Sequence, residues 1–299
     1  MSIGFIGLGD MGGALARRLQ LSHPLVVFDL NAEAIARLEE KGATAAKSLP
    51  QMAADCDTIF LCLPKSEHVR RAIFGAGGLA EGLRPGTLLI DQTSGDPKET
   101  RDMAQRLAAR DVTLVDAPVS GGPAGADAGK ISIMVGAEKT DFATVLPILN
   151  SISPNVFHAG GSGTGHAMKL VNNLLSGAQR LLSLECLALA SNSGIAPTDA
   201  VRILLAGGAR NVFLESQIGP IIEKGEMNVG FTLELMHKDV DLACRAGNDV
   251  GMPMFFGATT REMYRLCMTL LGGDQSVMTS ALAIDQISGS RIVPEGVKA

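Results

Sequence analysis

Three glycine clusters carry residue types and spacings on which chemistry could be built. The first, Gly7-Leu8-Gly9-Asp10-Met11-Gly12, is a G-x-G-x-x-G. Alone that pattern is weak, because glycine-rich turns are common. Here the apolar run Ile3–Ile6 leads straight into it and a helical pattern over Met11–Gln20 leaves it. Glycines at such a junction allow a tight turn and let the backbone approach a pyrophosphate, while the helix start offers free N–H groups and partial positive charge. Asp29 follows roughly 20 residues on, where a carboxylate can bond both ribose hydroxyls of an adenosine. Leu30 and Asn31 come next, with no arginine to hold a 2′-phosphate, so NAD is favoured over NADP. Gly7, Leu8, Gly9, Met11 and Gly12, with Asp29, Leu30 and Asn31, form the first candidate cofactor set.

The second cluster is Asp116-Ala117-Pro118-Val119-Ser120-Gly121-Gly122, at the end of an apolar run. The Ser120 hydroxyl and the N–H groups of Gly121 and Gly122 suit a substrate carboxylate. A loop with no ligand is the plain alternative. The third, Gly160-Gly161-Ser162-Gly163-Thr164-Gly165, opens a long helical pattern in which Lys169 and Asn173 share a face. An ammonium held near a hydroxyl or carbonyl can exchange a proton with it or stabilise its oxyanion. The plain alternative is a lysine that snorkels to solvent beside solvated amides.

The elements that must position these clusters alternate in the first half. Strands are expected at Ile3–Ile6, Leu25–Phe28, Thr58–Leu63, Thr87–Asp91, Thr113–Ala117, Ile131–Val135 and Val156–His158. Helices are expected over Met11–Gln20, Ala32–Lys41, Pro97–Ala109 and Thr140–Leu149. Apolar strands alternating with amphipathic helices read as β-α-β units on a parallel sheet. From about Gly165 strand signals vanish: a long helix over His166–Asn192 comes first, and Pro197-Thr198-Asp199 starts the next. The expectation is an α/β Rossmann-type domain over 1–163 and an all-α domain over 164–299, joined by the long helix. The polar, Gly- and Pro-containing stretch Ser288–Ala299 is expected to be a loose tail.

Composition limits the function classes. A chain of 299 residues suggests two domains at roughly 100–200 residues each. It is 46% apolar and 19% charged, an ordinary globular balance. The net charge of −5, the lack of Trp and the single Tyr264 give neither a basic face nor stacking aromatics, so no nucleic-acid partner is expected. Five cysteines, an odd number without C-x-x-C, read as small buried thiols of a reducing cytosol, and five scattered histidines suggest no metal. The N-terminus runs into a strand with no basic leader, and no run reaches about 18 apolar residues, so cytoplasm and no membrane are expected.

In this order and spacing the clusters resemble the β-hydroxyacid dehydrogenase family, which includes 3-hydroxyisobutyrate dehydrogenase and tartronate semialdehyde reductase. The resemblance rests on Gly4 to Gly12, Asp116 to Gly122, Gly163-Thr164-Gly165 with Lys169 and Asn173, and Lys238-Asp239-Val240-Asp241-Leu242-Ala243. It implies an active site in the cleft between the domains and an NAD-dependent hydride transfer on a small β-hydroxy acid, such as 3-hydroxyisobutyrate, or on glycerate/tartronate semialdehyde. Lys169 resembles the catalytic lysine. Ser120, Gly121, Gly122 and Asn173, with Asn172 nearby, resemble the substrate-holding groups. Leu63, Pro64, His68, Ser94 and Lys238 match cofactor contacts. A homodimer or homotetramer is implied as well. Two positions depart from the family: Gln92 stands where a small residue is usual, and no Trp lies around Asn211-Val212-Phe213. An imine or semialdehyde reductase of the same superfamily, or a non-catalytic dinucleotide-binding relative, is the alternative; the presence of Lys169 counts against the imine reductase and the non-catalytic relative.

Overall fold

The computed structural model describes residues 3–297. The chain forms two compact units that divide between Lys169 and Leu170. In the first, strands and helices alternate as β1 (Ile3–Ile6), α1 (Asp10–Gln20), β2 (Leu25–Phe28), α2 (Ala32–Glu39), β3 (Thr44–Ala45), α3 (Leu49–Asp55), β4 (Thr58–Leu61), α4 (Ser66–Phe74), β5 (Leu88–Asp91), α5 (Pro97–Ala108), β6 (Thr113–Asp116), β7 (Val119–Ser120), α6 (Gly122–Asp127), β8 (Ser132–Gly136), α7 (Lys139–Ile152) and β9 (Asn155–Gly160). Helices follow: α8 (Thr164–Asn192), α9 (Pro197–Ala206), α10 (Val212–Ser216), α11 (Ile218–Lys224), α12 (Leu233–Asp249), α13 (Phe255–Leu271) and α14 (Ser280–Ser288). This is the expected architecture: a Rossmann-like α/β sheet, then an all-helical region that begins with the long helix α8.

The sheet runs β3-β2-β1-β4-β5-β6-β8-β7, with β9 also beside β8. Strands β3 to β6 are parallel. Every residue of β1, β4 and β5 is buried, as near-continuous apolar strands covered on both faces must be. The two-residue period sends Ile3, Phe5 and Phe60 to one core, with Leu15 and Leu19 of α1 and Leu149 of α7. It sends Ile6, Ile59 and Leu61 to the other, with Met52, Val69, Ile73 and Met103 from α3, α4 and α5. Phe5 and Phe60 stack with centroids 5.7 Å apart.

The sheet is not wholly parallel, as the alternating pattern had suggested. Strands β6 and β7 run antiparallel to β8. The link 121–131 holds only the six-residue α6, less chain than a parallel crossover of about a dozen residues requires. Helices α3 and α6 and the two-residue strands β3 and β7 went unread because each is too short to show a period; the nine-residue α4 also went unread, although it is longer than α2, which was read. Ser48, whose side chain accepts the Gln51 N–H with Pro50 in the first turn, is the capping signal that could have located α3.

In the second unit, Leu184, Phe213, Ile218, Met236, Val240 and Tyr264 share one core. The end of the chain corrects the expected loose tail. Ile292 and Val293 are buried in this core. The Asp285 carboxylate holds them by accepting the N–H groups of Ile292 (2.8 Å) and Val293 (2.9 Å). Two branched apolar residues and a carboxylate seven positions earlier outweigh the polar look of the segment. Lys298 and Ala299 lie outside the described residues. Among the cysteines, Cys186 is exposed, against expectation, while Cys56, Cys244 and Cys267 are buried. Burial pushes the thiols of Cys56 and Cys267 up to about 11 and that of Cys62 up to about 12. No described helix is long and apolar enough to cross a membrane.

Candidate active site

The glycine turn joins β1 to α1 at the carboxyl end of the sheet, where ligands of open α/β folds bind. Its glycines do different things. A Cβ on Gly12 would stand 2.0 Å from the Gly7 carbonyl oxygen, so Gly12 lets helix and strand meet. A Cβ on Gly9 would meet nothing within 4 Å, so that face of the turn is open. Gly9 is also the N-cap of α1 and offers no side chain to its first N–H groups. An open, uncapped helix start of this kind fits a dinucleotide pyrophosphate. Met11 turns its side chain against the sheet core instead.

Asp29 follows β2 and faces the turn. Its carboxylate accepts the Leu8 N–H (2.5 Å) and the Asn31 N–H (2.8 Å), which fixes it with lone pairs to spare. The Asn31 side chain is engaged locally, accepting the Glu33 N–H at the start of α2. Leu30 is exposed. Gly7 N–H bonds the Phe28 carbonyl at 3.1 Å and Cys62 N–H bonds the Ile6 carbonyl at 2.9 Å, so the ends of β2, β1 and β4 adjoin. Leu63 follows β4 and donates its N–H to Thr93 Oγ1 (3.1 Å), which brings in the end of β5. Thr93 in turn donates its N–H to Asp91 (3.0 Å). The structure thus brings together Gly7 to Gly12, Asp29, Leu63 and the turn that contains the half-buried Ser94. Pro64 is exposed, and His68 is half-buried on α4, 3.9 Å from Glu67.

Ser120 ends β7 opposite Ser132 of β8, and Gly121 and Gly122 begin α6. Gly122 faces open space. Asp116, in the same motif, has a role that the sequence reading missed. It is fully buried at the end of β6, and its two oxygens accept the N–H groups of Gly163 (2.7 Å) and His166 (2.8 Å). It therefore caps α8 from a strand 47 residues earlier, and its negative charge suits the positive end of the helix. A Cβ on Gly165 would lie 2.4 Å from the Met134 carbonyl oxygen, so a larger residue could not enter this junction. One turn into the helix so anchored sits Lys169, 8% exposed.

Asn172 and Asn173 belong to the second unit. Asn172 donates to Asn173 Oδ1 (3.0 Å), and Asn173 donates to Asp239 Oδ2 (2.5 Å). Lys238 Nζ lies 3.1 Å from Asp239 Oδ1. Asp239 is fully buried on α12 and joins α8 to Lys238. It too went unread as a site residue, because its partner is 66 positions away. Gln92, one of the two departures, is buried with neither amide atom partnered. Phe213 packs in the helical core beneath the Arg180 guanidinium.

A family model described as the NAD binding domain of 6-phosphogluconate dehydrogenase matches residues 2–160. One described as NAD-binding of NADP-dependent 3-hydroxyisobutyrate dehydrogenase matches residues 163–283. The chain is 36% identical over 265 residues to 2-(hydroxymethyl)glutarate dehydrogenase of Eubacterium barkeri, which covers 88% of each protein. It is 34% identical over 264 residues to 3-sulfolactaldehyde reductase of Escherichia coli, 88% of this chain and 89% of the relative. A solved structure of a Mycobacterium tuberculosis 3-hydroxyisobutyrate dehydrogenase with L-serine matches with a TM-score of 0.85 at 26% identity, covering 95% of this chain and 98% of that one. The glycine turn, the acid after β2 and the two-part family match make the chain a nicotinamide-dinucleotide-dependent dehydrogenase of the 3-hydroxyisobutyrate dehydrogenase, or β-hydroxyacid dehydrogenase, family.

Proposed function

We propose that the protein transfers a hydride between NAD and the β-hydroxyl carbon of a small carboxylate, with Lys169 as general acid and base. The observation that carries this reading is the placement of Lys169, a buried lysine in the first turns of a helix whose start is fixed by the buried Asp116. In oxidation Lys169 Nζ takes the hydroxyl proton, and in reduction it returns one to the carbonyl oxygen. When bound, the nicotinamide accepts or supplies the hydride. Ser120, Gly121 and Gly122 receive the substrate carboxylate. Asn173, held by Asp239 and flanked by Asn172, orients the hydroxyl, and Lys238 lies at the nicotinamide end. Gly7, Leu8, Gly9, Met11 and Gly12 hold the pyrophosphate, and Leu63, Pro64, His68 and Ser94 line the cofactor. The Asp29 carboxylate at the end of β2 supports NAD over NADP, since it would repel a 2′-phosphate.

The names of the relatives support a substrate of the kind of 3-hydroxyisobutyrate, 2-(hydroxymethyl)glutarate or 3-sulfolactaldehyde, a short hydroxy acid or semialdehyde. Exposed Val171, Leu175, Leu182 and Leu189 recur along α8 at spacings of a helical seam, which supports a homodimer or homotetramer. The test is a panel of short hydroxy acids with NAD⁺ and with NADP⁺, on wild type and Lys169→Ala. We expect NAD⁺-dependent turnover in wild type and a loss of about 10²- to 10⁴-fold in the variant, with NADH affinity nearly intact. Activity retained at more than a few per cent removes Lys169 from the chemical step, and preference for NADP⁺ overturns the role given to Asp29.

A further inference from the structure

Three residues before Lys169, a buried histidine faces a buried carboxylate, and the proposed proton transfer uses neither. His166 and Asp91 are both essentially inaccessible to solvent. The ring Nδ1 lies 2.7 Å from Thr100 Oγ1. The Thr100 hydroxyl oxygen also lies 3.0 Å from the Asp96 carbonyl, so it can give its hydrogen to that carbonyl and accept from Nδ1, or give it to Nδ1. Nε2 faces Asp91 Oδ2 at 3.9 Å, and neither atom has a hydrogen-bond partner among the described residues. The other oxygen of Asp91 holds the Thr93 N–H. Two bare acceptors pointed at each other in a dry interior repel. A proton therefore belongs on the facing pair, on Nε2 or on the Asp91 carboxyl.

The geometry points to Asp91 and His166 as a one-proton pair that ties the first turn of α8, and through it Lys169, to the Gln92–Ser94 turn after β5. The inference rests on the reading of Lys169 as the proton-transfer group and adds two positioning residues to that site. His166 and Lys169 are neighbours on one helix face. From Asp91 the chain of bonds runs through Thr93 to the Leu63 N–H after β4. Gly95 makes room for the ring, since a Cβ there would lie 2.9 Å from its Cε1. The other ionisable groups around the ring can be named element by element. From β6 comes Asp116, bonded to the backbone N–H of His166. From α5 comes Arg101, whose guanidinium lies against Gly163. After β4 stands Cys62, its thiol pushed up by burial and by Asp91. Lys169 follows on α8 itself.

Nitrogen NMR of the histidine rings in wild type and Asp91→Asn reads the pair without any turnover. We expect the Nε2 signal of His166 to differ between wild type and Asp91→Asn, because the group facing that atom has changed, while the Nδ1 signal, held at Thr100, stays in place. Steady-state kinetics reads the positioning. We expect His166→Phe to lower kcat by about 10- to 100-fold with KM and NADH affinity within about threefold, as for a displaced reacting group. His166→Gln, whose amide can replace the Nε2 hydrogen, should recover a large part of that loss. Identical His166 Nε2 signals in the two proteins overturn the pair, whatever Lys169 does. An unchanged kcat in folded His166→Phe overturns the positioning. If His166→Phe does not fold, the nearly isosteric Asp91→Asn decides both points. Activity retained in Lys169→Ala sinks the Lys169 reading and the positioning role with it, but leaves the Asp91–His166 pair to stand or fall on its Nε2 signal.

Discussion

The sheet unit presents its candidate contacts mainly as backbone, whereas the helical unit presents them as side chains. At the β1–α1 turn the groups on offer are N–H donors at an uncapped helix start, placed by strands that are buried on both faces. On α8 and α12 the groups are Asn172, Asn173 and Lys238, and one buried acid, Asp239, holds Asn173 and Lys238. A backbone site tolerates change wherever the added atom finds space and fails wherever it does not. A side-chain site fails at its shared partner, because removing one member leaves the others buried and unpaired.

The sharpest way to break this contrast is Gly12→Val. Its Cβ would overlap the Gly7 carbonyl oxygen, so strand and helix must part. We expect destabilisation of at least about 3 kcal/mol and loss of NADH binding, seen by denaturant titration and fluorescence. Asp239→Ala comes next. Losing the common partner of Asn173 and Lys238 should lower kcat/KM by about 100-fold while NADH still binds, since the pyrophosphate turn is elsewhere in the chain. Gly9→Ala should be milder and of the opposite character. Its Cβ meets no protein atom, so the melting temperature should stay near wild type while NADH affinity falls by about tenfold as the methyl group occupies the pyrophosphate's space. Unchanged NADH affinity in Gly9→Ala would show that the open face of the turn is not where the cofactor lies.

The same contrast explains what was legible in the sequence. The glycine turn and Asp29 could be read because their constraints are local: a strand, a tight turn, a helix start and an acid one β-α unit later. The long helix and its Lys169–Asn173 face could be read from the helical period. Asp116, Asp91 and Asp239 could not, because each acts on a partner 47 to 75 residues away that only the folded chain brings near. Asp116 stood inside a recognised motif and still gave no hint that its task was to cap α8. The docked end of the chain was misread for a related reason. Ile292 and Val293 count as core only once Asp285 has secured their N–H groups.

The smallest expected effect is a difference in the sign of pH dependence between the two units. In the helical unit, burial and then the nearby Arg265 hold the His237 ring below its usual 6.5, against the opposing pull of Asp241 and Glu262. The unfolded chain binds that proton more readily, so the contribution is full above 6.5 and is lost as pH falls through the folded value. In the sheet unit, burial raises the Asp91 carboxyl above its usual 3.8, with His166 opposing. There the folded chain binds the proton more readily, so the contribution is full below 3.8 and is lost as pH rises through the folded value. Hydrogen exchange of the α12 and β5 amides, followed from neutral to mildly acid pH, separates the two. Protection in α12 should weaken on acidification and that loss should flatten in His237→Gln, while protection in β5 should hold or strengthen over the same range. Equal and parallel losses in both elements, unaffected by His237→Gln, would mean that the two units unfold as one and that neither buried group sets its own slope.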